Sequence, residues 1–255
     1  MNRRQFLINC DDLGMHPSIN EGIANILKAN IISSCSLMAV GLYSDDAVAR
    51  LKDIGVSSVG VHLTVNAEYP ALPVRPLTDQ ASSLTDGRGV FLNSPGQTRD
   101  ALVLDEMIAE LEAQINLVTD HGFDISHFDG HMFFYEPDIG GEVTFQAVHR
   151  LAEQYGVPLR VVNGTVLRGP VKQTHFIWEE YETIARRHNF YKTTLLNPAN
   201  TCDEIIIHPG SNIDSLSQIT SSGILRYADY TFFSGCDFAD ICRTNNLDII
   251  SWNNI

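Results

Sequence analysis

Short apolar runs alternate with helical patterns along the whole chain. Phe6-Leu7-Ile8 is a β-type run, and from Pro17 to about Asn30 the residues Ile19, Ile23, Ile26 and Leu27 recur at helical spacing. Cys35 to Val40 reads as a second strand, and Ser44 to Leu51 as a helix with a Ser N-cap candidate. Ser57 to Val65 (SSVGVHLTV) is a third strand. Pro70 to Gly96 is rich in Pro, Gly, Ser and Asp and reads as a long loop or lid. Leu104, Ile108, Leu111, Ile115 and Val118 then step by four, three, four and three, with Gly122 where a C-cap belongs. Ile125 to His131 is a strand ending in polar residues, about Glu142 to Gly156 a helix, and Leu159-Arg-Val-Val a strand. His175 to His188 reads as helix and Glu204-Ile-Ile-Ile-His208 as a strand that stops at Pro209-Gly210. Residues 215–245 read as helix in two pieces, and Leu247 to Trp252 as a last strand. About seven strands alternating with helices predict a parallel sheet with helices on its faces. Over 255 residues, a single TIM-barrel-like (β/α) barrel spanning 1–255 fits better than two domains. A doubly wound open sheet is the alternative.

The polar residues fall where these strands stop. Phe6-Leu7-Ile8 runs into Asp11-Asp12-Leu13-Gly14, and Val59-Gly60-Val61 into His62. Ile125 runs into His127, Asp129 and His131, and Ile205-Ile206-Ile207 into His208-Pro209-Gly210. In a barrel the C-terminal strand ends share one face, where active sites assemble. Asp and His are the residues of metal ligation and proton transfer. Each has an ordinary reading as well: a capping Asp pair, a hydrogen-bonded core histidine, a polar turn, a strand end. Four such coincidences at once are much less expected than one shared site. Phe133-Phe134-Tyr135, beside the histidine cluster, reads either as core or as a stacking wall for a sugar ring. The other histidines and the two tryptophans read as ordinary.

Composition narrows the partners. With 17 Lys and Arg against 31 Asp and Glu, the formal net charge is −14. No Lys/Arg cluster exists to meet phosphates, which excludes nucleic acid, and an anionic membrane surface is disfavoured in the same way. Five scattered cysteines without a CxxC pair, and no apolar leader, predict reduced thiols in a cytoplasmic protein. The charge is uneven: between Arg99 and Arg150 there is no Lys or Arg, while eleven acids fall from Asp100 to Glu142. That stretch holds His127 and His131, and its field favours a divalent cation.

At these residues the chain resembles the YdjC/ChbG family of carbohydrate deacetylases. INCDDLGMHPSINEGI, ISSCSLMAV, VGVHLTV, SHFDGHMFFY, LRVV and IIIHPG occur in the family's order and approximate spacing along essentially the whole chain. The resemblance implies a TIM-barrel-like fold, removal of acetyl groups from N-acetylated sugars such as chitin oligosaccharides, and a divalent metal ion, Mg2+ or Zn2+. It implies Asp12, His62 and His131 as metal ligands, Asp11 as catalytic base and His208 as general acid. Arg160 matches an arginine near the site, assigned to substrate binding or to orienting the base. Leu13, Gly130 and Phe133 stand where the family usually has Phe, Ser and a further His; the last bears on specificity and metal affinity. The implied mechanism has a protonated His208 giving its proton to the leaving amine. Rival readings are a hydrolase of another small substrate on the same barrel and a catalytically lapsed sugar-binding protein. The expected partner is a small carbohydrate. Oligomeric state is not legible, and a homodimer is the default expectation.

Overall fold

The structure is a computed structural model that describes residues 4–162, 169–175, 183–198 and 200–255. Its strands are β1 (Arg4–Leu13), β2 (Ser34–Leu37), β3 (Ser58–Leu63), β4 (Asp124–Gly130), β5 (Thr174–His175), β6 (Cys202–Ile207) and β7 (Leu247–Ile250). Helices α1 (Pro17–Lys28) and α2 (Ser44–Asp53) follow β1 and β2. Helices α3 (Pro95–Ala101) and α4 (Leu104–Asp120) precede β4, and α5 (Pro137–Gly140) and α6 (Glu142–Tyr155) follow it. Helix α7 (Ile184–Leu196) precedes β6; α8 (Ile213–Leu216), α9 (Gly223–Phe233) and α10 (Cys236–Thr244) lie between β6 and β7.

Sequence chemistry accounts for these elements. Helix α1 starts with the His16 ring accepting a hydrogen bond from the Ser18 amide and with Pro17 in its first turn, and buries Ile19, Ile23, Ile26 and Leu27. Helix α4 buries Leu111, Ile115 and Val118, and Gly122 behind it takes φ 86°. Helix α6 ends on Gly156 in the left-handed conformation.

The sheet runs β4-β3-β2-β1-β6-β5, and every pairing is parallel. Strand β7 pairs with Arg4–Leu7 of β1, and β2 pairs further along, from Asn9 to Leu13. Strand β6 holds the other edge of β1. Beyond β4 a single bridge joins Phe128 to Leu159. The sheet is unclosed among the described residues, yet strongly curled. Arg160, next to that bridge, reaches across the interior to Asp11 of β1 and Glu204 of β6.

The expected (β/α) barrel architecture is therefore met, with three local differences. The LRVV strand is one bridge at Leu159, its neighbours 163–168 lying outside the described residues. The expected helix from His175 begins instead at Ile184; Thr174–His175 is a strand, and 176–182 lie outside the described residues. Ser44 is the first helical residue of α2, whose N-cap is Tyr43. The long loop is irregular as expected, apart from a single turn at Ser82–Leu84 and the start of α3. All five cysteines are free thiols. No helix among the described residues is long and apolar enough to cross a membrane.

Candidate active site

Side chains alternate along a strand, and the inward-facing set converges on one cluster. On β1 the inward residues Asn9 and Asp11 lead to Asp12, whose φ of 68° turns its side chain toward the same space. Strand β3 delivers His62, and β4 delivers Asp129 and then His131. Asp11, Asp12, His62, His131 and His208 are all buried. Gln114 of α4 braces the end of β3 by accepting from the Thr64 amide at 2.9 Å and donating to its carbonyl at 2.7 Å.

Asp12 Oδ1 lies 3.1 Å from His62 Nε2 and 3.2 Å from His131 Nδ1. One ligand atom from each of the three lies within 4.8 Å of the others. Nδ1 of His62 faces Asp129 Oδ1 at 2.9 Å, which fixes the ring so that Nε2 turns to Asp12. His131 Nε2 is buried without a hydrogen-bond partner among the described residues; the Glu68 carboxylate is 3.8 Å away. An orphaned buried ring nitrogen beside a second imidazole and a carboxylate oxygen is the donor set of a divalent cation site, so these residues fit such an ion. A second trio, Asp11, His62 and Asp129, is equally close. There, however, Arg160 Nη1 already supplies the positive charge, 2.6 Å from Asp11 and 2.8 Å from Asp129.

Arg160 holds the Asp11 carboxylate with two nitrogens, at 2.6 and 3.0 Å, and donates from Nε to Glu204 at 2.9 Å. It is 1% exposed, so its reach is to carboxylates inside the sheet, and the geometry favours orienting Asp11 over touching a sugar. His208 is fixed through its main chain: its amide donates to Asp229 Oδ2 at 2.9 Å. Asp229 is in turn held by Arg187 and by the Tyr191 hydroxyl at 2.6 Å.

The charges follow from burial and neighbours. Burial disfavours ionised Asp12, but Arg226 and the two histidines outweigh it and keep its carboxyl well below the usual range. Burial alone would lower His62; the Asp129 and Asp12 carboxylates instead raise it to about 10. Burial lowers His208 to about 4, with Arg226 adding to it. The resting imidazole is thus neutral at pH 7, against the expectation of a protonated His208. Burial lifts Glu204 to about 7 despite Arg160.

Asp129, a strand-end candidate from the sequence, orients His62. Several other residues that matter here were not singled out. Asn9 and Glu204 sit two and four positions from a site residue on the same strand face, so counting back by two finds them. Asn9 donates to Asp11 at 2.7 Å, and Ser36 donates to Asp129 at 2.8 Å. Arg226 donates to Asp12 Oδ2 at 2.7 Å from helix α9, and no local pattern announces it. His127 stacks on Trp252 at 4.4 Å and is a packing residue. It also explains Gly60, where a Cβ would lie 2.1 Å from the His127 ring. Gly130 has a similar cause, since a Cβ there would meet Tyr135 at 2.6 Å. Phe134 and Tyr135 are core, while Met132 and Phe133 are half-buried at φ 55° and 54°. Of five non-glycine residues with positive φ among the described residues, Asp12, Met132 and Phe133 are at this site. A small pocket, partly open to solvent, borders His131 between Met15, Met38, Glu68, Leu72 and Val74.

A family profile described as YdjC-like protein matches residues 5–244. A protein of Listeria monocytogenes serotype 4b named carbohydrate deacetylase is 27% identical over 98% of this chain and 100% of its own length. Its namesake from Thermoanaerobacter pseudethanolicus is 23% identical over 98% of each chain. A crystal structure from Enterococcus faecalis V583, provisionally described as a cellobiose-phosphate cleavage protein, superposes with TM-score 0.81 at 17% identity. It covers 99% of this chain and 98% of its own. A Streptococcus mutans CE4 esterase shares the fold at TM-score 0.54 and 13% identity, covering 98% of this chain and 86% of its own.

Proposed function

The chain belongs to the YdjC-like family, and from that premise we propose that it is a metal-dependent hydrolase removing acetyl groups from N-acetylated sugars of the chitin type. One observation carries the reading: Asp12 Oδ1 lies between rings of His62 and His131, while the next residue back, Asp11, is clamped by Arg160. A cation-binding trio and an oriented carboxylate base then adjoin. The curated relatives named carbohydrate deacetylase support the substrate class. The reading extends to one catalytic domain over 1–255 acting on small soluble sugars in the cytoplasm.

In this reading Asp12, His62 and His131 hold a divalent ion, Zn2+ or Mg2+. When bound, the ion supplies Lewis-acid polarisation of the amide carbonyl and eases deprotonation of the attacking water. Asp11 takes the water proton, held at a fixed angle by Arg160 and Asn9. His208 delivers a proton to the leaving nitrogen. The resting ring is neutral, so the proton it delivers is the one Asp11 takes from the attacking water, relayed to the leaving amine, and base and acid both return to their starting states. The apolar wall of the cavity beside His131 suits an acetyl methyl group.

Acetate release from N-acetylglucosamine and its short oligomers, with and without chelator, tests the proposal. Chelator-sensitive release is expected. No release from any N-acetylated sugar by fully metal-loaded protein would overturn it.

A further inference from the structure

Helix α9 touches the candidate centre at two points one turn apart. Asp229 accepts the His208 amide, and Arg226 donates from Nη2 to Asp12 Oδ2 at 2.7 Å. The Arg226 carbonyl also accepts the Gly210 amide at 3.0 Å, which locks the helix to the turn after His208. Arg226 is 0% exposed. A guanidinium hydrogen-bonded to a buried carboxylate is a strong, directional contact.

We infer that Arg226 is a positioning residue that restricts Asp12 to a single ligand oxygen and weakens it as a donor. The inference rests on the metal-centre reading above and goes beyond it. Oδ1 faces His62 and His131, whereas Oδ2 accepts from Arg226, so bidentate ligation by Asp12 is disfavoured. The adjacent positive charge also offsets the carboxylate. An ion held by Asp12, His62 and His131 would have effectively neutral ligands and would keep more of its charge for the substrate carbonyl. The arrangement exchanges metal affinity for Lewis acidity, because a cation beside a ligand disfavours a second cation.

Competition between the protein and a chromophoric chelator for Zn2+ tests this directly. Arg226→Met, an uncharged chain of similar length, is expected to bind Zn2+ more tightly, on the order of 10- to 100-fold from relief of like-charge repulsion, while acetate release per loaded site falls. Arg226→Lys keeps the charge and is expected to stay near the wild-type affinity. Structural damage would loosen the ion, so tightening is not its signature. X-ray absorption on the zinc-loaded wild type is the second measurement, needing no variant to fold; one carboxylate oxygen in the zinc shell is expected. Unchanged or weaker zinc binding by folded Arg226→Met, or both Asp12 oxygens on zinc in the wild type, would overturn the inference alone. A wild type that binds no divalent ion would overturn the metal-centre reading and this inference together.

Discussion

The two faces of one sheet have opposite chemistry. Toward the helices, β1 contributes Phe6, Ile8 and Cys10, β2 contributes Cys35 and Leu37, β3 contributes Val59 and Val61, and β6 contributes Ile205 and Ile207 to one large apolar core. Toward the interior the alternate positions are Leu7, Asn9 and Asp11, Ser34 and Ser36, His62, and Glu204. Among the described residues the lower end of this interior is plugged by the apolar Leu7, Val171, Cys202, Ile250 and Trp252. The outer face is non-directional: any close-packed set of apolar side chains of the right volume serves it. The inner face is a network in which one arginine, Arg160, faces three buried carboxylates, Asp11, Asp129 and Glu204. Burying those charges is costly, and each partner is needed because an unpaired neighbour would remain. Stability is gathered on one face and chemistry on the other.

The sharpest way to break this comparison is to remove a ring from the inner face. His62→Ala or His131→Ala is expected to abolish both metal uptake and acetate release, as read by elemental analysis and an acetate assay. Full activity with metal retained in either variant would remove it from the ligand set. Asp11→Asn separates two inner-face roles: metal content should stay, while turnover falls at least about 100-fold, the scale for losing a general base. Outer-face damage should read differently. Leu111→Ala, at a fully buried position of α4, is expected to lower unfolding stability by about 2–5 kcal/mol in denaturant titration. Its metal affinity at 25 °C should be unchanged. A large affinity change there would show that the two faces are coupled.

A further comparison concerns protons. In the metal-free protein His62 titrates at about 10, against about 6.5 unfolded. The folded state thus holds a proton that the unfolded state has lost, so this group's stabilisation is complete below about pH 6.5 and disappears as pH rises toward 10. Thermal melts of metal-free protein should fall across pH 7–10, and metal loading should abolish that slope. Binding at pH 8 should also release about one proton, measured by calorimetry in buffers of different ionisation enthalpy.

Much of the site was legible because strands speak locally. A run such as Phe6-Leu7-Ile8 leading to Asp11-Asp12, or Ile205-Ile206-Ile207 leading to His208, places chemistry at a strand end whatever surrounds it. Period-two counting would have added Asn9 and Glu204 to Asp129. Their burial was not legible, because a charged residue in a strand is ordinarily a sign of an exposed edge. The LRVV run was legible in part: among the described residues it pairs with β4 at Leu159 alone.

The sequence by itself determined the alternation of strands and helices, the strand-end positions of Asp11, Asp12, His62, His131 and His208, and the family to which they belong. These depend on periodicity and order along the chain. Only the tertiary structure decided that Asp12 adopts φ 68°, that Arg160 is shared among three carboxylates, and that Arg226 occupies the second oxygen of Asp12. It also decided that His208 rests neutral. These are set chiefly by groups close in space but distant along the chain, where burial and charge act through space and leave no trace in local pattern.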